Sequence, residues 1–236
     1  MRTLLTTATS HDIDALQPKI AVLPIGSFEQ HGNVLPLSTD TIVAQLIAAR
    51  IAEDYDLFLL PPVTMSCSHE HAGFAGTVSI SSQTLYAVIA DIRVSLKASG
   101  IERLVLVNGH GGNYVLSNVA QEANVTEVAV ALFPGRPEWQ TARDAAALQT
   151  TISEDMHAGE LEVSLLLHAA PDLVSASYAE QDHLATERPH LLMTGMRALT
   201  DTGIVGRPSL GTAEKGALIL DSLSQSFAPF HALLDQ

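Results

Sequence analysis

The chain has 236 residues, enough for one large domain or two small ones with a sizeable core. Apolar residues make up 47 % and charged residues only 16 %, which excludes a disordered polyelectrolyte. The formal charge of −14, from 26 acidic against 12 basic residues, argues against a nucleic-acid partner, and no Lys/Arg cluster rescues that idea. Cys67 is the only cysteine, so no internal disulfide can form, and a small buried thiol is a plainer reading than a nucleophile. The stretch from Met1 to Pro18 has one Arg and no apolar core fit for a signal peptide. No run approaches the length of a membrane span. A cytoplasmic protein without membrane contact is expected.

Four apolar runs rich in Val, Leu and Ile read as strands: Lys19–Ile25, Leu57–Val63, Arg103–Asn108 and Val128–Phe133. None alternates with period two, which fits strands covered on both faces. Between them lie helical patterns. Thr41–Asp54 carries Ile42, Val43, Leu46, Ile47 and Ile51 at near-helical spacing, and Ser82–Ser99 repeats the pattern before Gly100. Asn113–Glu122 predicts a third helix. Pro134–Ser153 reads as an irregular stretch holding the only tryptophan, Trp139, either a lid, an oligomer contact or a surface connection. Helices are further expected over Gly159–Ala170, in the later part of Gln181–Thr202, and over Thr212–Phe230. Alternating strands and helices argue for an α/β fold with a parallel sheet covered on both faces, in a single domain. In such sheets, ligands bind at the carboxyl ends of the strands.

Two loops of chemical interest follow predicted strands. The first, 26–40, contains Glu29, His31 and Asp40, which are ligand types for divalent Zn, Mn or Fe. Residues two apart in an extended segment point the same way, so Glu29 and His31 could aim at one metal cluster. Asp40 could bind metal or cap the helix it precedes. The second is Asn108-Gly109-His110-Gly111-Gly112-Asn113, whose glycines let the backbone turn sharply and bring His110 to the same cleft. It lacks either phosphate-binding glycine pattern. A third cluster, His157-Ala158-Gly159-Glu160-Leu161-Glu162, opens a helix, where an acid is favourable through the helix dipole alone. Glu160 and Glu162 cannot both face one way on a helix. The segment Ser66–Thr77, with His69-Glu70-His71 inside it, adds more ligand types than one site needs, and reads as a substrate loop, a support for the ligands or a solvated loop.

Taken together, LPIGSFEQHGNVLPLSTD, SHEHAGFAGT, NGHGGN, MHAGELEVS and GIVGRPSLGTAEKG, in this order over residues 20–220, resemble the creatininase (creatinine amidohydrolase) family. The resemblance implies a three-layer αβα sandwich with a mainly parallel central sheet and two divalent metal ions per subunit. It implies that Glu29 and His110 bind the first ion, that His31 binds the second and that Asp40 bridges them. Creatininase takes a Glu two residues after the NGH histidine, where this chain has Gly112, and Glu160 is expected to supply that carboxylate, as in HAGE-type members. The chain reads ELEVS where the pattern ends in ETS, so Val163 replaces a Thr. Creatininase clamps its substrate with tryptophans, of which this chain has one.

The chemistry implied is hydrolysis of a C–N amide bond by metal-activated water. The leaving nitrogen needs a proton. His157 is the expected shuttle, with a ligand-orienting role as its rival. Glu162 is expected to orient His157 or a water, and Ser68 to contact substrate. The expected substrate is a small molecule, a cyclic amide or a formamide. The alternatives are a peptidase of a modified-peptide maturation pathway of the mycofactocin type, or a metal-binding protein without turnover. The family further implies a homo-oligomer, often a hexamer.

Overall fold

The computed structural model describes residues 6–236, so the first five residues of the stretch read for a signal peptide lie outside the described residues. Its strands are β1 (Ile20–Ile25), β2 (Phe58–Leu59), β3 (Arg103–Asn108) and β4 (Val130–Phe133). Its helices are α1 (Ser10–Leu16), α2 (Thr39–Asp54), α3 (Ser82–Ala98), α4 (Val115–Ala123), α5 (Arg136–Ala145), α6 (Glu160–Ala169), α7 (Leu191–Thr194), α8 (Ala213–Ser226) and α9 (Ala228–Leu234). The strands form one parallel sheet in the order β2-β1-β3-β4.

Alternate strand residues serve two cores. Val22, Val105 and Val107 pack with α2, α6 and α8 on one face; Ala21, Leu23, Ile25, Leu104 and Leu106 pack with α3 and α4 on the other. This is a three-layer αβα sandwich. Every residue of β1 is buried, the physical reason it reads as an unbroken apolar run. The register sets Ile25 of β1 opposite Asn108 of β3, so the two functional loops leave the sheet side by side. Among the described residues no helix is long and apolar enough to cross a membrane.

Four segments depart from expectation. The second strand is two residues long, because Pro61 and Pro62 cannot donate to a ladder; Leu60 and Val63 continue the pairing through single bonds to Val22 and Pro24, both 2.9 Å. The stretch 134–153 is not irregular but carries α5, opened by Gly135, whose amide donates to Glu138 at 2.8 Å, with Pro137 in the first turn. In 181–202 only α7, bounded by Pro189 and Gly195, and one 3₁₀ turn, Met196–Ala198, form. The final helix is two, α8 and α9, parted at Phe227 ahead of Pro229, whose ring is incompatible with a continuous helix at that point.

Candidate metal centre

The N-terminus of α2 is pressed against the exits of β1 and β3. At Gly109 a Cβ would lie 2.3 Å from the Asp40 carbonyl oxygen, so only glycine lets His110 come this close to the first turn of α2. Asp40 sits in that turn, where the helix dipole favours an anion. Its two carboxylate oxygens face different partners. Oδ1 is 3.1 Å from His31 Nε2, whereas Oδ2 is 3.1 Å from His110 Nδ1 and accepts a 2.6 Å bond from Ser27 Oγ.

The imidazoles are held by the backbone. His31 Nδ1 lies 3.1 Å from the Glu29 carbonyl, a contact that turns its Nε2 toward Asp40. His157 Nε2 likewise lies 2.6 Å from the Gln30 carbonyl. The Gln30 amide donates to His71 Nδ1 at 2.9 Å, which leaves His71 Nε2–H toward Glu29 Oε1 at 3.1 Å. Glu29 is fully buried, yet neither of its carboxylate oxygens accepts a hydrogen bond among the described residues.

Burial and the charge of Asp40 push Glu29 upward. Burial would also raise Asp40, but the facing imidazoles of His31 and His110 hold it well below the carboxylate range. Burial, then His31, pushes His157 down to about 4. A buried carboxylate whose oxygens accept no hydrogen bond, set among imidazole nitrogens, fits a divalent metal. Three overlapping groups could each hold an ion: Glu29–Asp40–His110, His31–Asp40–Glu162 and Glu29–His31–His157.

Glu29, His31, Asp40 and His110 thus converge as the sequence reading expects. Glu160 does not join them. Two residues along a helix turn the side chain by about 200°, so Glu160 and Glu162 leave α6 on opposite sides. Glu160 accepts from Lys215 Nζ at 2.6 Å, from Thr150 Oγ at 2.7 Å and from the amides of Thr150 and Gln149 at 2.9 and 3.0 Å. Glu162 is the acid brought to the cluster: Oε1 lies 3.8 Å from His31 Nε2, and Oε2 accepts from the Ala158 amide at 2.6 Å. Ser68 is fully buried and lines neither cavity beside the cluster. Val163, in place of the family's Thr, packs in the core against Gly211.

For His71 and Glu70 the sequence offers only a segment-wide reading, a substrate loop, a support for the ligands or a solvated loop, with no partner for either residue. They sit on the 3₁₀ turn His69–His71, and the excess of ligand types there hid the fact that His71 faces Glu29. A cavity of about 750 Å³ opens onto the cluster, with His110, His157 and Glu162 in its lining and Trp139, Tyr114 and Arg136 as further walls. That volume suits a small molecule or a short stretch of peptide.

Known proteins resemble this chain in sequence and in fold. A family profile described as creatinine amidohydrolase matches residues 6–230. The mycofactocin precursor peptide peptidase of Mycolicibacterium smegmatis is 36 % identical over 228 residues, covering 91 % of this chain and 85 % of that protein. The creatinine amidohydrolase of Pseudomonas putida is 28 % identical, covering 89 % and 87 %. A crystal structure of creatininase superposes with a TM-score of 0.81 at 26 % identity, covering 98 % of this chain and 97 % of that one. With a profile matched over nearly its whole length and a relative above 30 % identity, this chain belongs to the creatininase (creatinine amidohydrolase) family of hydrolases.

Proposed function

We propose that this protein is a dinuclear metal-dependent hydrolase of a C–N amide bond, and that the bond lies in a peptide. One observation carries the two-ion reading. Asp40 offers one oxygen to the His31–Asp40–Glu162 group and the other to the Glu29–Asp40–His110 group, so a single carboxylate belongs to two ligand sets. Glu29, His110 and Asp40 would hold one ion; His31, Glu162 and Asp40 would hold the other. When bound, such ions supply Lewis-acid polarisation of a carbonyl and bring the pKa of water from about 15.7 toward 7.

The chain's own groups do the rest. His71 Nε2 lies 3.1 Å from Glu29 Oε1, close enough to steady that carboxylate behind an ion, as partners behind metal ligands do. Lining the cavity, His157 has its Nε2 tied to the Gln30 carbonyl and its Nδ1 toward the cluster, 3.7 Å from Glu29 Oε1. A proton taken up at that nitrogen can pass to the leaving amine. Here Glu162 acts as a ligand rather than as the orienter of His157. The peptide reading displaces the cyclic amide or formamide as first choice, because the 36 % identical relative is a peptide peptidase and the creatinine-hydrolysing one is 28 % identical. The cavity volume accommodates either.

The test is a substrate panel. Protein stripped of metal and reloaded with Zn(II), Mn(II) or Fe(II) is assayed on short peptides, lactams and formamides. Metal-dependent release of an amine from peptides alone supports the reading. Turnover of lactams or formamides alone would return the substrate to the small-molecule class, and no turnover of any amide would favour a binding protein.

A further inference from the structure

We infer that Glu70, from the turn after β2, is an additional ligand to the ion at the Glu29–Asp40–His110 group, and that position 112 is glycine because the Glu70 carboxylate lies there. The inference rests on the metal reading above and adds to it a side chain outside the three groups already described.

Three oxygens converge on His110 Nε2. The Cys67 carbonyl is at 2.9 Å, Glu29 Oε2 at 3.2 Å and Glu70 Oε1 at 3.4 Å. A ring nitrogen of histidine donates at most one hydrogen, so it can serve only one of the three. Two carboxylates crowded onto one nitrogen repel each other unless a cation lies between or beside them. Both are largely withdrawn from water: Glu29 is fully buried, and the Glu70 side chain is 14 % exposed. One imidazole cannot balance the three carboxylates that face it, Glu29 and Glu70 at Nε2 and Asp40 at Nδ1, and a divalent ion supplies the remaining positive charge.

The backbone opposite is shaped for this carboxylate. A Cβ at Gly112 would stand 1.9 Å from Glu70 Oε1, 2.8 Å from Glu70 Cδ and 2.4 Å from His110 Nε2. Any side chain at 112 would therefore enter the volume in which Glu70 meets His110. The neighbouring Gly111 is under no such constraint, since nothing lies within 4 Å of a Cβ built there. The chain thus delivers a carboxylate to this edge of the cluster from the 69–71 turn, over a residue without a side chain. A second cavity, of about 460 Å³, is lined by Glu70, Gly112 and Tyr114, so this edge of the cluster is reachable from outside.

The probe is Mn(II). Apo protein, wild type and E70Q, is titrated by calorimetry, and ion content after gel filtration is read by elemental analysis. Wild type is expected to bind two ions. E70Q is expected to keep one site unchanged and to bind at the other at least tenfold more weakly, the lower end of what losing even a ligand's supporting partner costs. G112A, which drives a methyl group into the same carboxylate, is expected to weaken the same site. Two sites of wild-type affinity in either variant would overturn the assignment. Wild-type protein that binds no ion would overturn the metal reading beneath it, a result separable from the first. Where circular dichroism shows E70Q unfolded, E70A is measured against the same criterion.

Discussion

Replacing Glu160 by Gln separates the two acids of α6 most sharply. Glu160 is fully buried and receives four donated bonds, one of them charged, from Lys215, Thr150 and Gln149. Lys215 is itself only 16 % exposed. Removing one partner of a buried pair costs about 3–5 kcal/mol, because the other charge stays behind; the partial exposure of Lys215 places the cost near about 3 kcal/mol. For a chain of this length each kcal/mol lowers Tm by about 2–4 °C, so E160Q should melt about 6–12 °C below wild type. Its ion content should not change. E162Q should do the reverse, losing affinity at one of the two sites with little change in the Tm of the apo protein. The pH dependence gives a second readout. Burial would raise the Glu160 carboxyl, but the bonds from Lys215, Thr150 and Gln149 hold it below its ordinary value of 4.5. The stability it contributes is therefore complete above about pH 4.5 and drains away as pH falls through the lower folded-state value. The gap in Tm between wild type and E160Q should accordingly narrow on acidification. Calorimetry with elemental analysis decides: an E160Q protein that keeps its Tm and loses an ion would restore Glu160 as the ligand and refute the geometry.

Chelation should abolish amide hydrolysis and lower Tm, and readdition of Mn(II) at a hundredfold excess over its Kd should return about 2.7 kcal/mol of stability per site, measured by calorimetry. H157A should lower kcat about 10²–10⁴-fold while both ions stay bound at full occupancy; a loss of metal instead would make His157 a ligand. G109A places a methyl group 2.3 Å from the Asp40 carbonyl, and denaturant unfolding should show a loss of about 1–3 kcal/mol together with weaker metal binding.

The strands and most helices were legible because burial on both faces writes itself as uninterrupted Val, Leu and Ile, as in β1 and β3. The α5 helix was not, because Arg136, Pro137 and Glu138 look like loop residues until the Glu138 carboxylate is seen to accept the Gly135 amide and cap the helix. The single helix expected over 212–230 overlooked what Pro229 forbids. Four cluster residues could be named because Glu29, His31, Asp40 and His110 leave the ends of adjacent strands or the helix just after, an arrangement the parallel topology imposes. The choice between Glu160 and Glu162 could not be made from spacing. It depends on Lys215, which lies far from α6 in sequence, and on Thr150 in the loop before it, which together hold Glu160 away from the cluster. Likewise nothing in the string SHEH shows that His71 faces Glu29 while Glu70 meets His110.

The proposed function requires one carboxylate, Asp40, to serve two ions. Electron paramagnetic resonance of the protein loaded with Mn(II) tests this directly. An exchange-coupled spectrum at two ions per chain, collapsing to uncoupled Mn(II) in D40N, is the predicted result. A spectrum of isolated ions in the fully loaded wild type would contradict it.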